Sequence, residues 1–372
     1  MALQRSIAFY CGGSIERWDS SSLWRGIGGS EEALIHMARQ LSGRGWRVEV
    51  YGNPPDGGGT GPDGVRWRPH QELDGTPPGD VFVAWRDPQF VRHGRGWGQV
   101  HHWLHNRQEW PYPDEIVPLV DRILVVSRQM AGDGGFEGVD PAKIYRTSNG
   151  LDERFLCPPG DNEPRRAIYA SCPARGLIAV LEMWPRIRRR VPDARLDVYY
   201  GFTAIYDDMA RDLPGLRWIK LRCAELIDQP GVTFHGMVGQ DRLAEGFARA
   251  GVWLYPTDCL EASCITAMKA LAMGCLPITS GYGVLSETLG GRDLGPVDPR
   301  RPISRSRWRL RSFRRRTVRA MLTGGLPRVR ARRLEWARWA RETYSWRRVA
   351  DDWCRLFAEV DASKGERSTA AP

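Results

Sequence analysis

The sequence holds no apolar run long enough for a membrane helix, which needs roughly twenty apolar residues. Its first segment, MALQRSIAFYCGG, has too short an apolar run for a secretion signal and reads as a first strand, so a cytoplasmic protein is expected. None of the eight cysteines forms a C-x-x-C pair. Several sit in apolar runs such as AMGCLPI, which suits reduced, mostly buried thiols better than a disulfide framework or a metal knuckle. Acidic residues are missing altogether from Arg300 to Arg333.

What is present is a soluble, two-domain amount of chain: 372 residues, 42% hydrophobic and 26% charged. The net charge is +10, nearly all of it from arginine, and it is densest in RSRWRLRSFRRRTVRA. Such a patch suits a solvated helix face, an anionic membrane surface or an acidic polymer. Specific nucleic-acid binding is not expected, because no recognised nucleic-acid module accompanies it.

The first fifty residues read strand, helix, strand. SIAFYCG is short and apolar, then Leu34, Met37, Ala38 and Leu41 recur at helical spacing, then RVEVYG follows. Ser30 is the expected N-cap, with Gly43 and Gly45 as stop signals. A strand, a crossover helix and another strand imply a parallel sheet. NPPDGGGTGPDG is a loop by composition, and DVFVAW, QVHHWLH and DRILVVS read as further strands. The Pro-rich stretch GLDERFLCPPGDNEPRR reads as a linker. Beyond it, RAIYASCP, ARLDVYYGF, GVTFHGMV and GVWLYPT read as strands, with helices at GLIAVLEMWPRIRRRVP and QDRLAEGFARA. The fold class is therefore α/β: two doubly wound, Rossmann-like domains over residues 1–158 and 164–343, with the ligand cleft expected between them. Residues 361–372 are expected to be disordered.

Four stretches carry chemistry. GIGGS joins a strand to a helix, so Gly28 and Gly29 permit a tight turn and close backbone approach, although Glu31 and Glu32 make a purely phosphate-binding loop less comfortable. YASCPARGL follows a strand and offers Ser171 and Arg175, a hydroxyl and a forked cation suited to phosphate oxygens. YPTDCLEASCITAMKALAMGCLPITSGYG places Glu261 in a loop ahead of a helix, with the backbone N–H groups of Ser263, Cys264, Ile265 and Thr266 at its start. VHHWLHN adds His101, His102 and His105, with no carboxylate or cysteine at metal-ligand spacing.

In order and spacing these stretches, with SNGLD, FHGMVGQDRLAEGFARAGVWLYPT and SWRRVADDW, resemble the GT-B glycosyltransferases of the retaining, metal-independent type, whose donor motif is Glu, seven residues, Glu. The resemblance spans nearly the whole chain and implies the GT-B architecture. It also implies a hexosyl transfer from a UDP- or GDP-sugar to a glycan, lipid-linked or other acceptor, with retention of configuration. No cofactor or metal is expected, and the sequence has no D-x-D. By resemblance Glu261 holds the donor sugar and His105 sits near its reacting face. Gly28 and Gly29 lie beside the diphosphate and acceptor, Ser171 and Arg175 bind the diphosphate, and Phe234, His235 and Gly236 lie at the nucleobase. A C-terminal helix, 345–360, joins the first domain.

The departure is Lys269, eight positions after Glu261, where the resemblance expects the carboxylate that accepts from the ribose hydroxyls. A lysine has donors and no acceptor. It could donate to a ribose oxygen, swing to the diphosphate, or pair with Glu261. The expectation is weakened nucleotide binding that Lys269→Glu would restore. Two rivals stand beside the transferase: a catalytically weakened nucleotide-sugar-binding protein and a basic polyanion-binding adaptor. The stretch Arg300–Arg333 could equally make a peripheral membrane contact.

Overall fold

The computed structural model describes residues 4–106, 111–132 and 135–369, and the chain in it divides into two compact units. The first takes the chain up to Ser22, Gly28–Gly150, and everything from Ser345 on; the second takes Leu23–Ile27 and Leu151–Tyr344.

In the first unit the chain runs β1 (Ser6–Tyr10), α1 (Gly29–Ser42), β2 (Arg47–Gly52), β3 (Gly59–Thr60), β4 (Arg66–Pro69), β5 (Val81–Trp85), β6 (Gln99–Leu104), β7 (Arg122–Val125), α2 (Arg128–Gly132) and β8 (Ile144–Arg146). The strands form one sheet in the order β3-β4-β2-β1-β5-β6-β7-β8, parallel except for the β3–β4 pair. Strand order reverses at β1, which lies between β2 and β5. All five residues of β1 and of β5 are buried, as expected of parallel strands covered on both faces. Helix α1 buries Leu34, Met37, Ala38 and Leu41. It does not start at Ser30. Its N-cap is Gly28, whose carbonyl accepts from the Glu32 N–H at 2.9 Å, so Ser30 already lies in the first turn.

The second unit runs β9 (Glu163–Ser171), α3 (Leu177–Arg188), β10 (Arg195–Tyr200), α4 (Ala204–Asp212), α5 (Pro214–Ile227), β11 (Val232–Gly236), α6 (Gln240–Arg249), β12 (Ala250–Tyr255), α7 (Ile265–Ala272), β13 (Leu276–Thr279), α8 (Leu285–Leu289), α9 (Arg307–Thr323) and α10 (Pro327–Thr343). Its sheet is wholly parallel in the order β11-β10-β9-β12-β13, and its strand order reverses between β9 and β12. Helix α3 buries Leu177, Val180, Leu181, Trp184 and Ile187, the stripe its sequence spacing marks.

The last helix, α11 (Trp346–Thr369), belongs to the first unit. The Trp353 ring lies 6.4 Å from Phe9 and 4.8 Å from Trp103, and its indole N–H donates to Thr147 Oγ1 at 2.8 Å. Gln99 donates to the Phe357 carbonyl at 2.7 Å. The expected disorder from residue 361 is not found: the helix continues to Thr369. Polar tail residues are tied to the unit, with Asp361 paired to Arg5 at 2.8 Å and Lys364 donating to Gly98 O and Asp121, both at 2.7 Å. Composition alone does not reveal those partners. Residues 370–372 of the expected tail lie outside the described residues.

The arginine-rich stretch is likewise not one solvated face. Arg309 is buried and donates to the carbonyls of Pro296, Ser280 and Arg301, and buried Arg333 donates to Gly274 O at 2.7 Å. All eight cysteines are free thiols, four buried, three half-buried and Cys157 exposed. Among the described residues no helix is long and apolar enough to cross a membrane.

Candidate functional site

In the second unit the cluster grows from the carboxyl ends of β9 and β12, adjacent parallel strands at the reversal of strand order, where open α/β sheets bind ligands. Ser171 ends β9 and Tyr255 ends β12, and their hydroxyls lie 3.2 Å apart. After β9 a 3-10 turn, Pro173–Arg175, presents Arg175 and is closed by Gly176 at φ 105. A Cβ there would meet the Pro256 carbonyl oxygen at 2.6 Å, so glycine is required both by the backbone and by its neighbour. After β12 the loop carries Glu261 back over the same edge.

Arg175 Nη1 lies 2.9 Å from Glu261 Oε1 and 3.3 Å from Cys259 Sγ. Tyr255 donates its hydroxyl to Glu261. The guanidinium is held well above its ordinary value, first by Glu261 and against the opposing effect of burial. Burial and then Glu261 raise the Tyr255 phenol, so it stays protonated and donates. Ser171, Arg175 and Glu261 are thus brought together. Thr266, in the first turn of α7, donates to Ala170 O at 3.2 Å and ties that helix start to β9. Cys264 is the buried N-cap, Ile265 opens the helix, and half-buried Ser263 precedes them. The first N–H groups of a helix have no intrahelical acceptor and draw negative charge.

Lys269 is not part of this cluster. It is 3% exposed, its Nζ donates to Gln240 Oε1 at 2.7 Å, and it sits 4.9 Å above the Phe155 ring. Glu261 is engaged by Arg175 and Tyr255, so of the three possibilities for Lys269 the pair with Glu261 is not formed; the lysine pairs instead with Gln240 at the start of α6.

Elsewhere on the same sheet, the Phe234–Gly236 segment ends β11. Phe234 is exposed, and the His235 ring stacks on Tyr199 at 4.3 Å while its Nε2 meets Asp197 at 2.8 Å. The other oxygen of Asp197 accepts from Arg166 at 2.7 Å, so the carboxylate that meets the imidazole is itself held in place. Beside it the chain leaves β10 through Tyr200 at φ 87, a left-handed conformation unusual for a side-chain-bearing residue.

The first unit has its own polar cluster at the carboxyl edge. Gly28 and Gly29 take ordinary extended and helical roles at the start of α1; the positive φ falls instead on Gly26, a residue of the second unit, at 101°. Arg86, next after β5, has φ 70 and bridges Glu31 at 2.9 Å and Asn106 Oδ1 at 3.1 Å. His105 lies edge-on to Trp103 at 4.4 Å, and its buried Nε2 has no hydrogen-bond partner among the described residues. Burial, then Arg86, pushes His105 down to about 3, so its ring is neutral. His102 meets Tyr112 at 2.8 Å and the Arg86 carbonyl at 3.2 Å, so it is a satisfied core histidine; buried His101 meets Gln99 at 2.9 Å through Nε2, while its Nδ1 has no partner among the described residues. Among the described residues no group of histidine, cysteine and carboxylate side chains could hold a metal ion. Sequence reasoning missed Tyr255, Gln240 and Arg86. The first reads as core at the end of an apolar strand, and the other two acquire meaning only through spatial partners.

No protein-family model matches the chain, and no curated protein matches it. Solved structures do resemble it. Sucrose-phosphate synthase from Thermosynechococcus elongatus is 16% identical with a TM-score of 0.72, covering 97% of this chain and 100% of that one. The catalytic domain of starch synthase IV from Arabidopsis thaliana, bound to ADP and acarbose, is 11% identical with a TM-score of 0.64, over 96% and 99% of the two chains. A glycosyltransferase from Rickettsia africae is 12% identical with a TM-score of 0.67, over 96% and 99%. At these identities the likeness establishes the fold, and the fold is the GT-B architecture of glycosyltransferases.

Proposed function

We propose that the protein is a retaining, metal-independent glycosyltransferase that moves a hexosyl group from a UDP- or GDP-sugar to a glycan, lipid-linked or other acceptor. The observation that carries this reading is the Arg175–Glu261–Tyr255 cluster at the β9/β12 edge, beside the start of α7. Glu261 is the group to hold the sugar hydroxyls. Arg175, Ser171 and the α7 N-terminus are the groups to receive the negative charge that develops on a departing nucleoside diphosphate. Positioning and leaving-group stabilisation supply the catalysis. The nucleobase lies along Phe234, His235 and Gly236, and in the first unit His105 is the candidate donor to a sugar hydroxyl, its Nε2 being without a hydrogen-bond partner among the described residues.

One observation favours a weaker variant of the same reading. Lys269 is turned to Gln240, so position 269 offers no carboxylate to the ribose. The protein would then bind nucleotide-sugar with slow turnover. A thermal-shift panel of UDP, GDP, ADP and their sugars tests binding, since a ligand selective for the folded state raises the melting temperature. Donor hydrolysis or transfer distinguishes the two variants. No shift with any of these ligands would overturn both.

A further inference from the structure

Fourteen arginines lie between Arg300 and Arg333. Some of them serve the interior, as Arg309 and Arg333 do. The outer ones do not. Along α9, Trp308, Arg311, Arg315, Arg319 and Leu322 are all exposed, at spacings of three, four, four and three residues, which puts them on one face. The stripe is about 20 Å long at the helical rise. Its two ends are apolar, with Trp308 69% and Leu322 55% exposed, and exposed Leu326 follows in the turn to α10.

Arg186 and Arg189 at the end of α3, which packs against α9, extend the positive face. The Arg314 guanidinium is pushed below the ordinary arginine range, first by burial and then by Arg186, Arg315, Arg189 and Arg311. Other surface arginines of this unit have acidic partners, such as Arg165 with Asp193 at 2.6 Å and Arg222 with Glu225 at 2.8 Å. Among the described residues none of Arg186, Arg189, Arg311, Arg314, Arg315 or Arg319 has an ion-pair partner. A face of unpaired guanidinium groups between apolar ends matches a surface that is anionic outside and apolar just beneath.

We infer that the outer face of α9, extended by the end of α3, docks the second unit onto an anionic lipid bilayer. Trp308 and Leu322 enter the interface, and Arg311, Arg315 and Arg319 lie among the headgroups. A polynucleotide would use the charges and leave the apolar ends without a role, so the lipid surface is favoured. The inference is independent of the reading of the donor site.

The test is co-sedimentation of the full chain with vesicles of equimolar phosphatidylglycerol and phosphatidylcholine, and with pure phosphatidylcholine vesicles. Binding is expected only to the anionic vesicles, and it should weaken as salt rises. The pair Arg311→Gln and Arg315→Gln should weaken it about thirtyfold, each arginine near a charged surface contributing roughly fivefold. Trp308→Ala should weaken it too, with its salt dependence kept. Arg17→Gln with Arg47→Gln, two surface changes in the first unit, should leave it alone. Circular dichroism verifies that each variant is folded. The inference fails if anionic vesicles do not bind, if neutral vesicles bind equally, or if the α9 variants bind like the wild type. It also fails if duplex DNA displaces the vesicles while Trp308→Ala has no effect, which would identify a polyanion site.

Discussion

Arg175 and Glu261 hold each other at 2.9 Å, so neither can be removed without consequence for its neighbour. Glu261→Ala strands a half-buried guanidinium and removes the acceptor of the Tyr255 hydroxyl, which mixes stability with catalysis. Glu261→Gln keeps an acceptor and loses the charge. It should cut turnover about a hundredfold while the melting temperature changes little, because lost positioning acts on the barrier. Near-wild-type transfer by a folded Gln variant would remove Glu261 from the mechanism. Arg175→Ala should weaken a nucleoside diphosphate about ten- to a hundredfold and leave the bare nucleoside nearly unchanged, because the substitution deletes a charge-assisted hydrogen bond that only the phosphates accept. Equal weakening of both ligands in a calorimetric titration would assign the residue elsewhere. Lys269→Glu puts a carboxylate against Gln240, whose amide can turn to donate to it. With the ribose acceptor restored, nucleoside diphosphate binding should tighten about five- to a hundredfold. Weaker binding by a folded Lys269→Glu variant would make the lysine an adapted contact.

Strand β6 carries His101 and His102, and His105 follows directly; burial pushes them down to about 3, 4 and 3. Each therefore stays neutral in the fold while its unfolded counterpart takes up a proton near the ordinary histidine value. Stability is full above that value and is lost as pH falls through it toward the folded values. One pH unit below it, each histidine costs about 1.4 kcal/mol, or about 4 kcal/mol for the three. Denaturant unfolding of the first unit should show that loss between neutral and mildly acidic pH, and His102→Gln should reduce it. A flat profile would contradict the neutral buried state. The same strand was legible in the sequence because QVHHWLH is apolar enough and bounded by turn residues. So were β5, β7, β9, β10 and β12. Strands β3, β4 and β8 are short, at two, four and three residues, and carry too little pattern to read. Helices α4 and α5 went unread for another reason. Of α5 only Cys223 is buried, while Trp218 and Leu221 are 58% and 60% exposed, so its apolar residues form no inward stripe. Ser171, Arg175 and Glu261 could be singled out as candidates because the end of a strand and the loop after it give such residues few structural duties, and the fold brings the three together. The partner of Lys269 could not, since nothing along the chain points from position 269 to Gln240.

At the scale of the molecule, the first unit is built from both ends of the chain. Phe9, Trp103 and Trp353 share one aromatic cluster, and Trp353 is fully buried. Trp353→Ala should cost about 3–5 kcal/mol. A chain ending at Tyr344 should lose cooperative unfolding of the first unit while the second still melts as a unit. Two unchanged transitions in calorimetry would show α11 to be dispensable. The same feature governs the order of events during synthesis. All but Leu23–Ile27 of the second unit is one continuous stretch, complete when Tyr344 is made, whereas the first unit still lacks α11 at that moment. The N-terminal sheet therefore leaves the ribosome early yet waits, with Phe9 and Trp103 uncovered, until α11 has been made. That interval is when a nascent chain of this kind is open to aggregation and to chaperones, and it lengthens with every pause in decoding the arginine-rich stretch.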